Sequence, residues 1–346
     1  MSYRLFNYLP VLLLIFLSTF LSCSGQKIEP FEVPLEGKLV YVEGLRGEGW
    51  LTANPFGELV MIDGDTQTKQ ILTWDGYYYA HPNLTADTLS LIFESKRSDN
   101  IGSGGLSVNS DIYKMDLETN EVENFNEDLS DLIGESIGHR VRFPSLSHSG
   151  KKLAVTRLIN WQFHLSVIDI QNGSIVDIST DEKLKPNSSA VLEWSANSNS
   201  FIYERFYGLN MMVVLVDVEN LTTSVIKPVI NETNELDVRS CRAGSWINNY
   251  EFIYQCIRKD IDFTDVLVYD IRNGSSRILK SFNNQNFEMS MISLKISQDG
   301  ETLVFIGIDH NTEEQDIWKF NLISDSLTKI TTNGYNKGWL RWYEDF

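Results

Sequence analysis

The sequence predicts an all-β fold: a six-bladed β-propeller of four-stranded antiparallel blades, closed by pairing of a C-terminal strand A with an N-terminal strand B. Three observations predict it. The first is a repeated apolar strand that ends in a polar residue and a turn. It occurs at Glu58 to Asp63, Asp111 to Asp116, His164 to Asp169, Met212 to Asp217, Asp265 to Asp270 and Asp316 to Asn321. The last residues fall 53, 53, 48, 53 and 51 positions apart, and a fixed period of about fifty residues marks a repeat architecture. The second is that companion pieces recur in the same order: a strand and turn leading into another apolar strand at Pro82 to Phe93, Pro144 to Val155, Trp194 to Tyr203 and Ile296 to Phe305. With polar turns such as Asn172-Gly173 and Asn273-Gly274, each repeat holds four short strands, A to D. The third lies at the ends. Gly338 to Phe346 reads as strand A with half a turn, and Gly37 to Val42 as the other half with strand B. Joining them completes a sixth blade and removes an exposed sheet edge.

Residues 1–22 read as a signal segment, with one charge at Arg4 and an apolar run from Leu9 to Leu21 that is too short to span a bilayer comfortably. Ser22-Cys23 at its end resembles the lipobox of bacterial lipoproteins, with Phe20 where that family usually has Leu. The resemblance implies export and acylation of Cys23, a membrane anchor facing the periplasm or cell surface. Residues 23–36 are then a tether and residues 37–346 one propeller domain. Losing Arg4 with the leader takes the formal charge from −18 to −19. So acidic a body is a poor partner for nucleic acid, which needs clustered Lys and Arg, and should meet a membrane only through its lipid. The composition, 42% hydrophobic and 22% charged with three cysteines, supports a large core and excludes a disulfide-dense miniprotein, a disordered chain and a multi-span membrane protein.

Helical patterning is weak everywhere and visible only from Asn126 to Ile137. Cys241 and Cys256 flank a hairpin read as turning at Asn248-Asn249. If Ile247 faces Tyr250, the two cysteines stand opposite one another. An exported protein permits a bridge there, worth roughly 3 kcal/mol, and two buried thiols are the alternative.

Asp111-Ile-Tyr-Lys-Met-Asp-Leu117, preceded by Ser95-Lys-Arg97, and Ser297-Gln-Asp-Gly300 followed by Leu303-Val-Phe305 resemble the repeat of TolB-type propellers, also found under the catalytic domain of dipeptidyl-peptidase-like enzymes. The likeness runs over roughly residues 37 to 346. It implies the fold strongly and the function weakly, because such propellers serve many tasks. The family's Ser-Pro-Asp-Gly turn is altered to Thr85-Ala-Asp-Thr88, Ser147-His-Ser-Gly150 and Ser195-Ala-Asn-Ser198. TolB itself has an additional α/β domain before its propeller, for which the short stretch after Cys23 leaves no room, so a Tol-Pal role is not carried over.

The longer connections join D to A or B to C, two types that emerge on the same propeller face, and long loops commonly carry binding. That face is expected to present Trp50, Arg97, Arg140, Trp161, Tyr207, Arg258 and His310, with Arg142 and Arg242 near the start of inner strands. Aromatics and arginines are common interface anchors, and an Arg-lined channel mouth suits a carboxylate or an acidic peptide terminus. The family's repeat suggests a different role for two of them, Arg97 bracing Asp111 and Arg258 bracing Asp265.

No catalytic constellation is legible. Gly134-Glu-Ser136-Ile-Gly138 matches the serine-hydrolase pattern but lies in an interblade loop without the strand-to-helix turn the chemistry requires. His81, His139, His148, His164 and His310 lack metal-ligand spacing, and Asp63-Gly-Asp65 falls short of a calcium loop. Gly102-Ser-Gly-Gly105 leads into a strand rather than a helix, so it is no phosphate cradle. The expectation is a monomeric interaction or ligand-binding module of the cell envelope, without cofactor or metal, whose partner is an envelope protein, peptide or small ligand. The competing reading is a propeller lyase or hydrolase with a metal or acid/base site at the channel mouth.

Overall fold

Strands B and C read as nearly continuous apolar runs because they are covered on both faces, whereas the outermost strands face water along one edge and are polar. The computed structural model describes residues 28–30, 35–44, 57–75, 77–96, 110–137, 141–160, 162–178, 192–207, 210–230, 234–235, 237–259, 263–283, 289–309, 312, 314–333, 335 and 337–344. They form six sheets in a ring, each built on antiparallel strands A-B-C-D from the channel outward; outside strand D of blade 5, Val229–Ile230 adds a short parallel strand that pairs in turn with Asn234–Glu235. Strand B of blade 1, Lys38–Gly44, is buried along its middle, while strand D of blade 3, Ser174–Asp177, is largely exposed.

Closure follows the expected pairing. Lys337–Tyr343 is strand A of the blade whose strand B is Lys38–Gly44, with Lys38 opposite Tyr343 and Val40 opposite Arg341. Gly37 makes the junction possible: its φ is +74°, and a Cβ there would lie 2.0 Å from the Tyr343 carbonyl oxygen. Six apolar clusters lie between neighbouring blades rather than within them. One joins Phe143 and Leu165 of blade 3 to Trp194 and Phe201 of blade 4, and another joins Tyr41 of blade 1 to Ile306 of blade 6. Each blade therefore depends on its neighbours for its core.

The repeated polar residue at the end of strand C is a turn bracket. Asp63 Oδ1 accepts from the N–H groups of Asp65 (3.0 Å) and Thr66 (3.1 Å), and Asp217 from Glu219 and Asn220 (both 3.0 Å). Asn321 accepts in the same way from Ile323 (3.0 Å) and Ser324 (2.7 Å), which explains why an amide replaces the carboxylate there. The A–B turns keep their bonding without proline. Ser195 Oγ accepts from Ser200 N–H at 3.1 Å, Ser297 Oγ from Thr302 N–H at 2.9 Å, and Thr85 Oγ1 from Ser90 N–H at 3.0 Å. The fourth turn position is left-handed throughout this set, at Gly150 and Gly300 and also at Thr88 and Ser198.

Three details depart from the linear reading. The helix is Phe125–Ile133, ending before Ile137 because Gly134 is left-handed and donates its N–H to Ser130 O. The first glycine of the Gly-x-Ser-x-Gly pattern is thus a helix terminator. Ile28–Pro30, inside the expected tether, adds a fifth strand to blade 1 against Thr68–Ile71. In blade 5, Cys241 stands opposite Cys256 and the two are joined by a disulfide, but by a different route from the one read in the sequence. Ile247 N–H bonds to Glu251 O rather than facing Tyr250, and a bulge between Ala243 and Trp246 restores the register. Gly244 sits in that bulge, where a Cβ would meet Ile253 Cγ1 at 2.6 Å.

Candidate functional site

Strand A lines the channel, and in most blades it carries an irregularity near the side chain that faces the cavity. The A–B register shifts in blades 1, 2, 3, 5 and 6, and in four of these the residue at the shift is non-glycine with positive φ: Trp339, His81, Phe143 and Ser293. A bulge of this kind redirects the residues that follow it. Two positions after each lies a cavity-lining residue, and with the equivalent places in blades 4 and 5 they form a ring: Arg341, Asn83, Ser145, Glu193, Ser245 and Lys295.

Glu193 is the centre of this ring. Its carboxylate forms ion pairs with Lys295, two blades further round the ring, and with Arg341, directly across the channel. Arg341 Nη2 also donates to Leu192 O at 2.8 Å, and Ser145 Oγ donates to the same carbonyl at 2.8 Å. Trp194 Nε1 donates to Ser145 O (2.8 Å) and Trp246 Nε1 to Glu193 O (2.9 Å), tying strand A of blades 4 and 5 each to the blade before it. Burial pushes the Glu193 carboxyl up, but Arg341 and Lys295 outweigh it and hold the group below its ordinary range. Lys295 is lowered by burial, with Glu193 only partly opposing. The two directions have different sources: two cations outweigh burial at Glu193, whereas burial outweighs the shared carboxylate at Lys295.

Below the ring, side chains from blades 1, 2 and 3, one from each, pack together. His81 packs edge-on against Phe143, with centroids 4.8 Å apart, and against Trp339 at 5.3 Å. Burial, with Arg341 and Arg142 nearby, holds the His81 imidazole well below its usual range and therefore neutral. Two further carboxylates sit at matching places on strand B. Glu94 accepts from Arg142 Nε at 3.2 Å and Phe143 N–H at 3.0 Å, and Glu204 accepts from Ala243 N–H at 3.1 Å. Burial raises the Glu204 carboxyl to about 7, with Arg242 the leading opposing influence.

Above the ring a cavity of about 410 Å³ opens between the A–B turns, bordered by Ala86, His148, Ala196, Asn249 and Gln298 and walled by Leu84, Trp246, Ile247, Ile296 and Trp342. This is the face opposite the long D–A and B–C loops. His148, read from sequence as a residue of a surface turn, stands at the cavity rim. Among the described residues, no group of three or more His, Cys, Asp or Glu side chains is gathered to hold a metal ion.

Of the residues singled out by sequence, Arg142 and Arg242 lie beside the channel carboxylates. Arg258 forms an ion pair with the buried Asp265, which also accepts from Ser281 Oγ at 2.6 Å, so it braces the start of strand C. Trp50, Arg97, Arg140, Trp161, His310 and Cys23 lie outside the described residues, as does the Tyr207 side chain. Sequence reasoning missed the ring. Its signal was one column, the residue two places before the A–B turn position in each repeat, as in Glu193-Trp194-Ser195 and Lys295-Ile296-Ser297.

Comparison with solved structures places this geometry in a known architecture. TolB from Acinetobacter baumannii superposes with a TM-score of 0.63 at 14% identity, over 90% of this chain and 68% of that one. The fold is TolB-like. A putative TolB from Agrobacterium tumefaciens gives 0.55 at 10% identity, over 86% and 89% of the two chains. The TolB-like fold is also shared by an oligogalacturonate lyase in complex with manganese, with a TM-score of 0.54 at 11% identity, over 90% and 87%. No family model matches the sequence, and no curated protein matches it. At these identities the TolB-like likeness is one of fold.

Proposed function

We propose that this TolB-like propeller is an exported binding module of the cell envelope, anchored through an acylated Cys23, that receives a small ligand or the end of a partner chain in its channel mouth. The observation that carries the reading is the cavity with a charged floor built from six different blades. Such convergence of polar groups beneath apolar walls is the usual form of a ligand site. Beneath the ring, His81 packs against Phe143 and Trp339. The long-loop face, with Trp50, Trp161 and Tyr207, is the second candidate surface, favoured by loop length alone.

The test is retention of ligands from a mixed pool of sugars, small acids and short peptides by purified protein, read by mass spectrometry. Ala196→Trp, which places an indole over the mouth, should abolish retention, and joint replacement of Trp50, Trp161 and Tyr207 by Ala should leave it intact. The reverse pattern would move the site to the long-loop face, and no retention by the unaltered protein would refute the channel-mouth site.

A further inference from the structure

The ring floor is not electrically balanced. Among the described residues, Lys295 and Arg341 form ion pairs with a single carboxylate, Glu193. Among the described residues the neighbouring charged groups do not remove the surplus at the floor: Arg142 is matched by Glu94, Arg242 stands beside Glu204, and the Glu344 carboxylate lies up at the rim, where it accepts from the Gln298 N–H. A protein with a formal charge of −18 therefore holds one extra positive charge at the base of its cavity. Buried charge without a partner is unfavourable, so this floor has a standing preference for an anion. Both cations line the cavity and carry more N–H donors than Glu193 and Leu192 O occupy, so each has donors left for the oxygens of a carboxylate.

The walls narrow the choice. Trp246 and Trp342 have their indole N–H groups committed to Glu193 O and Glu36 O, so they turn no free donor to a ligand, and Leu84, Ile247 and Ile296 are apolar. At the rim the side-chain amides of Asn249 and Gln298 provide both donors and acceptors. A ligand that fits has one terminal carboxylate, an apolar body and amide groups near the entrance.

We propose that the channel mouth captures the C-terminal carboxylate of a short apolar peptide segment, with Lys295 and Arg341 as the groups that hold it. This rests on the cavity being the ligand site.

The experiment uses two pools of N-acetylated apolar tripeptides, identical except that one has free C-terminal carboxylates and the other C-terminal amides. Retention by the mature protein is read by mass spectrometry. The expected result is retention of acid members only, weakened at least tenfold in Lys295→Gln. Ser245→Asp, which adds a negative charge to the ring without removing any of its ions, keeps the test decisive should Lys295→Gln fail to fold, and should weaken retention similarly. Equal retention of acids and amides, or retention of acids unaffected by both substitutions, would overturn the carboxylate assignment. If Ala196→Trp still abolished that retention, the cavity would remain a ligand site read by its walls. Retention of neither pool would overturn the peptide proposal, leaving the mixed-pool result to judge the cavity itself.

Discussion

Replacing Glu204 with Gln should remove a pH dependence that the fold carries in its channel wall. The Glu204 carboxyl is raised from 4.5 to about 7 by burial, with Arg242 and the Ala243 N–H opposing. A carboxyl with a raised folded-state value contributes stability that is fully present below about 4.5 and is lost as pH rises through about 7, because the unfolded chain gives up its proton first. Between pH 5 and pH 8.5 the loss is about 2.5 kcal/mol at 1.36 kcal/mol per unit. Glutamine keeps an oxygen for the Ala243 N–H and has no proton to lose. Urea unfolding of both proteins across that range should give a stability difference, variant minus parent, that grows by about 2 to 3 kcal/mol with pH. The lowered imidazoles of His81 and His148 titrate in both proteins and drop out of that difference. A difference flat to within about 0.5 kcal/mol would refute the claim that burial of Glu204 outweighs the Arg242 charge beside it.

Three structural predictions accompany it. Replacing Cys241 and Cys256 by Ser should lower unfolding stability by about 3 kcal/mol, the chain-entropy value for a 15-residue separation, and reductant should then have no further effect on the variant. Gly37→Ala should weaken ring closure by at least about 2 kcal/mol, read as a lower melting temperature, because the new Cβ would strike the Tyr343 carbonyl oxygen. Thr88→Gly should raise stability by about 1 kcal/mol in denaturant unfolding, since a β-branched residue there holds a φ of +56° in the turn position that is glycine at Gly150 and Gly300.

The parts legible in sequence were those that repeat with one chemistry. Asp63, Asp116, Asp169, Asp217, Asp270 and Asn321 recur because every C–D turn needs the same oxygen to accept backbone N–H groups, and the closing pair of strands was visible as two complementary halves. The ring was hidden because its six positions share a place and not a residue type. Asn83, Ser145 and Ser245 read as ordinary polar residues, and Lys295 as a stray charge in an apolar strand. Glu94 and Glu204 were hidden likewise, since their partners come from the next blade, some 40 to 50 residues onward. Loop length pointed to one face of the propeller, but a cavity depends on where side chains leave the channel unfilled. That is decided by the strand A bulges and by the packing of His81, Phe143 and Trp339.

The central claim is that the channel mouth above the Glu193 ring is where this protein binds. Its most direct test is a crystal structure of the protein with a ligand retained from the mixed pool. Density for the ligand in the cavity, within hydrogen-bond distance of Lys295 or Arg341, is the predicted result. Density on the long-loop face with the ring unaltered would contradict it.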